Sequence, residues 1–264
     1  MMVAGIDIGS LSTEVALLDG EANLLAVEVA STGTRGWETA QMLLTAALRR
    51  VGAGPEAVVR IVATGYGRHK LGCAHRTVTE ISCHARGAFH LFPQARTVID
   101  IGGQDSKVIR LDEQGRVIDF VMNDKCAAGT GRFLEVMARA LEVEIEQFSD
   151  LAAKSRRSRL ITSTCTVFAE SEVVSLLSEG VEPADIARGL AEAVAARVVA
   201  MAERVGVEPE VVMTGGVAKN AAVVNALRRQ LGRAMLLPPE PQTVGAIGAA
   251  LFARDDALRP AFRP

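Results

Sequence analysis

The side chains of this chain best suited to chemistry are two aspartates, each followed two residues later by a glycine. Asp7 and Gly9 close one apolar strand pattern, and Asp100 and Gly102 close another. A carboxylate at a strand end can hold Mg²⁺ through water, because Mg²⁺ gives up its hydration shell reluctantly. Glycine has no Cβ, so a glycine turn lets backbone N–H groups approach a phosphate. The pattern predicts two phosphate-binding β-hairpins with associated magnesium.

The turns of these hairpins supply further groups that can bind phosphate. Hydroxyls donate to phosphate oxygens, and so do backbone amides that a turn brings close. The candidate contacts are Gly9, Ser10, Leu11, Ser12 and Thr13 in the first turn and Gly102 and Gly103 in the second. Gln104 is the candidate for orienting an attacking water, so Asp7, Asp100 and Gln104 form the predicted catalytic set. One such hairpin alone would be typical of an ordinary tight turn.

A third glycine-rich segment, residues 214–220, follows a short strand pattern and precedes a helix pattern. Gly215 and Gly216 offer a flat backbone surface for an adenosine, and Lys219 lies near a helix start, where phosphate is favoured. Gln242 is a candidate for the base or ribose pocket. The sequence has no Gly-x-x-x-x-Gly-Lys-Ser/Thr motif, which argues against a P-loop protein. Together the three segments predict that ATP and ADP bind.

Cys126 and Cys165 each stand before a helical pattern, where the positive end of the helix dipole favours a thiolate. Two cysteines are half of the ligands that a 4Fe–4S cluster needs, and a two-fold dimer would supply the other half. Spacing alone leaves two alternatives open: a pair of buried free thiols, or a cluster bound by all four cysteines of one chain. We interpret Cys73 and Cys83 as structural or incidental.

The elements around these motifs indicate a duplicated α/β architecture. A further strand follows each hairpin, and a repeat at such a long interval is typical of duplicated lobes, not of a solenoid. Apolar spacing predicts strands at 24–29, 117–122 and 210–213 and helices at 37–51, 132–141, 184–205, 220–231 and 244–254. Gly206 is expected to end the long helix. We predict a first lobe over residues 1–95 and a second over 96–264, with the C-terminal helix packing back onto the first.

Composition narrows the classes of function. The chain has 264 residues, 49% of them hydrophobic and 23% charged, which is typical of a folded globular protein. A net charge of −2 gives no reason to expect nucleic-acid binding. No apolar run is long enough for a membrane span, and the N-terminus leads directly into a strand pattern. We therefore expect a cytoplasmic protein with reduced cysteines.

The paired hairpins and the Gly215–Gly216 turn resemble those of the superfamily of acetate kinase, sugar kinases, heat-shock chaperones and actin. The resemblance covers nearly the whole chain. It implies a two-lobed actin-like ATPase fold with duplicated ribonuclease-H-like lobes. It also implies a nucleotide cleft between the lobes that closes when ATP binds.

A narrower resemblance rests on residues 123–134 and 163–172, around the two cysteines. These segments look like the signatures of the activators of 2-hydroxyacyl-CoA dehydratases, whose relatives include ATPase subunits of benzoyl-CoA reductases. Residues 64–68 and 82–85 resemble the same family. The resemblance implies a homodimer with one 4Fe–4S cluster, bound by Cys126 and Cys165 of each subunit. It counts Gly129 and Gly131, within the first signature, among the cofactor-binding glycines.

Three functions are compatible with this resemblance. The first is an activator that hydrolyses ATP and passes electrons at low potential to a partner iron–sulfur acyl-CoA dehydratase. The second is an ATPase subunit of a benzoyl-CoA-reductase-type complex, and the third is a kinase or sensor without a cluster. For the first two the resemblance implies anaerobic metabolism and reduced ferredoxin or flavodoxin as the electron donor. One departure from the family is Glu14, because the family commonly has lysine at this position of the first hairpin.

Overall fold

The computed structural model describes residues 1–162 and 165–259. This part of the chain divides into two compact units. The first contains residues 1–95, 111–117 and the segment from 238 onwards, and the second contains 96–110 and 118–237. Each unit is built around its own five-stranded sheet.

The strands of both sheets follow one plan. The first sheet has the order β3-β2-β1-β4-β5 and the second the order β10-β9-β6-β7-β8. In each, an antiparallel hairpin adjoins a parallel strand, β4 in the first sheet and β9 in the second. The strands are β1 Met2–Ile8, β2 Ser12–Asp19, β3 Leu24–Ser31, β4 Val58–Thr64, β5 Arg76–Thr77, β6 Thr97–Ile101, β7 Ser106–Leu111, β8 Val117–Asn123, β9 Val211–Thr214 and β10 Met235–Leu236. The mixed sheets and their helices confirm the predicted α/β class.

Eight α-helices complete the described part of the chain. They are α1 Gly36–Arg50, α2 Glu80–Leu91, α3 Gly131–Ala140, α4 Phe148–Ala153, α5 Thr166–Ser178, α6 Pro183–Val205, α7 Ala221–Leu231 and α8 Val244–Leu258. Local chemistry sets several ends: Pro183 begins α6, and Gly206 ends it with a φ of +83°. Among residues 1–162 and 165–259, no helix has the length and apolar character needed to cross a membrane.

The first unit buries both faces of its sheet because β1 alternates between two layers. Ile6 and Ile8 point towards the layer that contains α1, whereas Val3 points towards α8. The helix α8 lies directly on β1, since a Cβ built on Gly5 would be 2.0 Å from the Ala246 carbonyl oxygen. Asp7, two residues further along the same face as Gly5 and one residue before the end of β1, therefore lies beneath the start of α8.

Candidate functional site

The first hairpin turn, residues 9–12, is held by hydrogen bonds on both sides. The Gly9 N–H donates to the Ser12 carbonyl oxygen at 2.9 Å. The Thr32 hydroxyl donates to the Gly9 carbonyl oxygen, and the Thr32 N–H donates to the Leu11 carbonyl oxygen, each at 2.9 Å. Thr32, the residue that follows β3, thus fixes the turn. Gln242 contacts the same turn, with its Nε2 3.5 Å from the Ser12 hydroxyl.

The second hairpin turn, residues 102–105, repeats this geometry. The Gly102 N–H donates to the Asp105 carbonyl oxygen at 3.0 Å. Gln104 is exposed at the tip of the turn, where it can reach a solvent molecule. Both turns therefore close with the same hydrogen bond, from a glycine N–H to the carbonyl oxygen three residues later. That repetition supports the duplication seen in the sequence.

The two aspartates occupy matching positions beneath glycines with left-handed backbones. Asp7 and Asp100 are 7% and 2% exposed. Gly65 and Gly215 have φ values of +86° and +84°, which favour glycine. A Cβ on Gly65 would lie 2.4 Å from Asp7 Oδ1, and one on Gly215 would lie 2.7 Å from Asp100 Oδ1. Sequence reasoning missed the role of Gly65, although the repeated Thr-Gly pair after β4 and β9 was a usable signal.

Asp100 has a charged partner inside the second unit. Lys107 is 2% exposed, and its Nζ lies 3.1 Å from Asp100 Oδ2 and 2.8 Å from Asp105 Oδ1. The Thr214 hydroxyl donates to Asp100 Oδ1 at 3.0 Å. Lys107 was not among the predicted site residues, and Thr214 was included only as the first residue of the segment 214–220. These contacts hold the Asp100 carboxylate in one orientation next to the hairpin turn.

The Gly215–Gly216 segment leads from β9 into a short 3₁₀ turn and then into α7. Gly216 and Lys219 are exposed. Asn220 caps α7 by accepting a hydrogen bond from the Val223 N–H at 3.1 Å. The segment therefore presents an exposed glycine and an exposed cation close to a capped helix start.

Cys126 lies in a loop that is tied to the second hairpin. The Asn123 side chain donates to the Cys126 carbonyl oxygen at 2.8 Å. Residues 127–130 separate Cys126 from α3, so this cysteine lies outside the first turn of the helix. The N–H groups of Gly131 and Arg132 donate to the carbonyl oxygens of Gly102 and Gly103 at 2.9 and 2.8 Å. The first turn of α3 thus rests directly on the phosphate-type turn.

Gly129, in the same loop, has a φ of +87°. A Cβ there would lie 3.0 Å from the Arg197 side chain of α6. The glycine therefore shapes the path of the loop and packs against α6. By contrast, a Cβ built on Gly131 would lie 3.4 Å from the Cα of Gly103. Gly131 therefore packs against the second hairpin turn.

Cys165 occupies the position directly before α5 and is exposed. Its side chain makes no capping hydrogen bond, which leaves the sulfur available at the positive end of the helix. Upstream, Thr162 donates to the Glu172 carboxylate from its N–H at 2.9 Å and from its hydroxyl at 3.0 Å. Ser163 and Thr164, part of the second signature segment, lie outside the described residues.

The other two cysteines differ sharply in environment. Cys73 is exposed, whereas Cys83 is completely buried between the sheet and α8. Burial raises the pKa of the Cys83 thiol to about 12. Within the described residues, no three His, Cys, Asp or Glu side chains are grouped closely enough to hold a metal ion.

Comparison with known proteins gives a consistent relationship over nearly the whole chain. A sequence profile of the BadF/BadG/BcrA/BcrD ATPase family matches residues 4–253. An activator of lactoyl-CoA dehydratase from Anaerotignum propionicum is 49% identical over 259 residues, which cover 98% of this chain and 100% of that protein.

Two solved structures are similar at high coverage. One is component A of the (R)-2-hydroxyglutaryl-CoA dehydratase of Acidaminococcus fermentans, with a TM-score of 0.95 and 45% identity over 98% of this chain and 100% of the other. The second is the activator of the 2-hydroxyisocaproyl-CoA dehydratase of Clostridium difficile with bound ADPNP, with a TM-score of 0.92 and 44% identity over 97% and 96%. The actin-like ATPase fold class and the family resemblance predicted from the sequence are confirmed.

Proposed function

The chain belongs to the BadF/BadG/BcrA/BcrD ATPase family, and from this premise we propose that it is an ATP-hydrolysing activator of a 2-hydroxyacyl-CoA dehydratase. It couples ATP hydrolysis to one-electron transfer at low potential towards that partner. The observation that carries the proposal is the pair of hydrogen bonds from Gly131 and Arg132 to Gly102 and Gly103. They join a phosphate-type turn to the segment that carries Cys126.

ATP hydrolysis in this proposal depends on position and charge. The backbone amides of Gly9, Gly102 and Gly103 approach phosphate oxygens, as glycine turns of this type do elsewhere. Asp7 and Asp100 are the residues that would hold Mg²⁺ through water, and the ion would supply positive charge against the phosphates. Exposed Gln104 orients the water whose oxygen bonds to the γ-phosphorus while the bond to the bridging oxygen breaks.

The remaining nucleotide contacts follow from the same geometry. Gly215 and Gly216 provide backbone surface for the adenosine, and Lys219 adds an exposed cation at the start of α7. Gln242, which already contacts the Ser12 hydroxyl, is placed to contribute to the base or ribose. Asparagine in place of Asp100 removes a carboxylate that would hold Mg²⁺ at the phosphates and should lower the rate of hydrolysis about 100-fold or more.

The cysteine environment fits a shared cluster. Cys165 is exposed at a helix start, and Cys126 is half-buried in a loop whose carbonyl groups are held by Asn123. Two thiols per chain make four in a two-fold dimer, the number that a 4Fe–4S cluster takes. When bound there, such a cluster supplies one-electron chemistry. Cys126 and Cys165 are the residues that would hold it.

Exposed apolar side chains beside Cys165 support the homodimer. Val167 and Phe168, in the first turn of α5, are 66% and 68% exposed, and Leu160 is 77% exposed. Clustered large apolar side chains on a surface are typical of a protein interface. A second copy of the chain, docking by the same surface, would cover them and bring the cysteine pairs together.

In this proposal, the effect of nucleotide binding is transmitted to the segment that carries Cys126 through a short series of contacts. ATP and ADP differ at the γ-phosphate, so they bind differently to the Gly102–Gly103 turn. Any movement of that turn acts on the first turn of α3 through the two hydrogen bonds. A ligand changes a conformation only through such a difference in affinity between states. Hydrogen exchange of residues 123–134 is therefore expected to differ between protein bound to ADP and to a non-hydrolysable ATP analogue.

The partner and the donor follow from the proposed chemistry. The partner is an iron–sulfur acyl-CoA dehydratase, and reduced ferredoxin or flavodoxin supplies the electron in a reducing cytoplasm. The test uses anaerobically reduced protein and a low-potential acceptor dye. We expect ATP to accelerate dye reduction and ADP not to, with Asp100→Asn losing both hydrolysis and acceleration. Equal rates with ATP, ADP and no nucleotide would refute the proposal.

Two alternative functions predict different experimental results. A permanent subunit of a benzoyl-CoA-reductase-type complex would co-purify with its partner, whereas an activator separates from it. A kinase or sensor without a cluster would give a colourless protein that phosphorylates or binds a small molecule. Cys126 and Cys165, the candidate cluster ligands, favour the activator over a kinase or sensor without a cluster.

A further inference from the structure

A cavity of about 290 Å³ lies in the first unit, where α2 and α8 adjoin the turn between β2 and β3. Its walls combine two kinds of side chain. Arg86, His90 and Arg254 are basic, and the apolar wall is formed by Ala22, Phe89, Pro93 and Leu251. Pockets that bind small molecules are mostly apolar and contain a few convergent polar groups. The lining therefore has the composition of a site for a ligand with a negative charge and an apolar part.

The spacing along the two helices brings these side chains together. The lining residues of α2 lie at three- and four-residue intervals, as do those of α8, so each set shares one helix face. The two helices touch backbone to backbone, because a Cβ on Gly87 or on Gly248 would overlap a carbonyl oxygen of the other helix. This close contact fixes the separation of the two lining faces.

The turn between β2 and β3 closes one side of the cavity. Ala22 has a φ of +69°, a left-handed backbone that alanine adopts rarely. The Asp19 carboxylate accepts two backbone N–H groups inside this turn, at 2.8 and 2.9 Å. Arg254 Nε donates to the Gly20 carbonyl oxygen at 2.8 Å, which ties the turn to α8. The turn is therefore held both from within and from the helix.

The apolar wall is also fixed in place. The Phe89 ring packs against Gly115, which has a φ of +74°, and a Cβ at that position would overlap the ring. Leu251 is 2% exposed and belongs to the core between the sheet and α8. Both side chains thus present a constant apolar surface to the cavity.

The two arginines of the cavity share an acidic neighbour. Arg86 Nη2 lies 3.1 Å and Arg254 Nη1 lies 3.7 Å from the Asp255 carboxylate. One carboxylate opposite two guanidiniums leaves this group of three with a positive charge. A guanidinium has several N–H donors in a planar fork, so both arginines keep donors for a second carboxylate. His90 experiences the same field, since burial and then the charges of Arg86 and Arg254 lower its pKa.

We propose that this cavity binds a small organic acid, whose carboxylate lies between the Arg86 and Arg254 guanidiniums and whose apolar part lies against Phe89 and Leu251. Arginine pairs with a carboxylate through two parallel N–H···O bonds, which suits a ligand of this charge. At about 290 Å³ the cavity is at the small end of ligand pockets, which favours a short chain or a single ring. Inorganic phosphate has the charge but would leave the apolar wall uncovered.

This site goes beyond the proposed function, because it lies at the opposite end of the first hairpin from the phosphate-type turn. The strand β2 has 8 residues, so Asp19, in the turn beside the cavity, is about 23 Å from Ser12. No residue proposed to bind ATP lines the cavity. An organic acid and a nucleotide are therefore expected to bind at the same time.

The test is isothermal titration calorimetry of the full-length protein with sodium hexanoate, with and without saturating ADP. We expect one hexanoate per chain with a Kd of about 1 mM or tighter, and the same Kd when ADP is present. Hexanamide, which has the same shape and no charge, should bind at least about tenfold more weakly. Inorganic phosphate, which has no apolar part, should also bind at least about tenfold more weakly.

Two variants locate the site. Arg86→Gln should weaken hexanoate binding at least about tenfold, and so should His90→Asp, which adds a carboxylate at an exposed position of the lining. The matched control is Arg76→Gln, which should bind hexanoate as the natural chain does. Arg76 also pairs with an aspartate of α8, Asp256 at 2.9 Å, but it lies outside the cavity lining. Circular dichroism checks that each variant is folded.

The proposal is overturned by any of several results. These are no hexanoate binding, equally tight binding of hexanamide or phosphate, and an unchanged Kd in either folded variant. Hexanoate binding that ADP abolishes would place the acid at the nucleotide site, and it would overturn the proposal as well. ATP hydrolysis measured on the same samples tests the proposed function separately, because hydrolysis requires none of these results.

Discussion

The buried ion pair of the second unit gives a quantitative prediction. Lys107 lies 3.1 Å from Asp100 Oδ2 and 2.8 Å from Asp105 Oδ1, and both Lys107 and Asp100 are 2% exposed. With an effective dielectric constant of about 20, one unit charge pair at 3.1 Å is worth about 5 kcal/mol before desolvation is counted. Lys107→Met removes this attraction and leaves the Asp100 charge buried. The variant should lose about 3–5 kcal/mol of unfolding free energy.

The assay is urea unfolding followed by far-ultraviolet circular dichroism. Trp37, the only tryptophan of the chain, lies in α1 of the first unit, so its fluorescence reports on that unit separately. Arg116→Ala is the matched control, because the Arg116–Asp112 pair is exposed on the arginine side (76%). Exposed pairs contribute about 0–1 kcal/mol, so this control should change little.

The double variant Lys107→Met with Asp100→Asn sharpens the result. It removes both charges, and it should therefore be less destabilised than Lys107→Met alone. A loss below about 1 kcal/mol for Lys107→Met, similar to that of Arg116→Ala, would refute the reasoning. So would a double variant that is less stable than the single one.

Three further predictions concern other parts of the chain. The first uses a variant with Cys126→Ala and Cys165→Ala, treated with a thiol reagent at pH 8. Exposed Cys73 should be modified rapidly and Cys83 only after denaturation, since the pKa of Cys83 is raised to about 12. Two rapidly reacting thiols would contradict this. The N–H groups of Arg157 and Arg156 and the Ser155 hydroxyl bond to the Asp185 carboxylate and lower its pKa. The stabilisation from these hydrogen bonds is present above the unfolded-state pKa of Asp185 and is lost as the pH falls through its folded-state pKa. At pH 7, Asp185→Asn should therefore speed tryptic cleavage within residues 154–159. Unchanged cleavage would argue against this role of Asp185. Phe168→Asp, on the exposed start of α5, should convert the proposed dimer to a monomer in light scattering, whereas Met42→Asp on exposed α1 should not; a dimeric Phe168→Asp variant would count against this interface.

Several helices and strands were predictable from the sequence because their apolar residues recur at regular spacing. The helix predicted at 184–205 is α6 Pro183–Val205, and the helix predicted at 220–231 is α7 Ala221–Leu231. The strand predicted at 117–122 is β8 Val117–Asn123. The helix α2, which covers Cys83 and His84, was not predicted, since it carries polar and small residues in place of a clear apolar stripe.

The site was harder to predict, because its geometry depends on pairing between distant strands. Glu14 was recognised as unusual, but only the strand register places it opposite Asp7. Similarly, only the strand register shows that Thr64 is paired with Asp7 and Thr214 with Asp100. The sequence identified the chemical groups of each hairpin, whereas long-range pairing decided which of them meet.

Iron analysis and a visible spectrum of the anaerobically reconstituted protein test the central claim most directly. The account predicts about four irons per dimer with iron–sulfur absorption. Both are lost in Cys126→Ala and in Cys165→Ala, and both are kept in Cys73→Ala. A colourless natural protein, or full iron content in Cys126→Ala, would contradict the account.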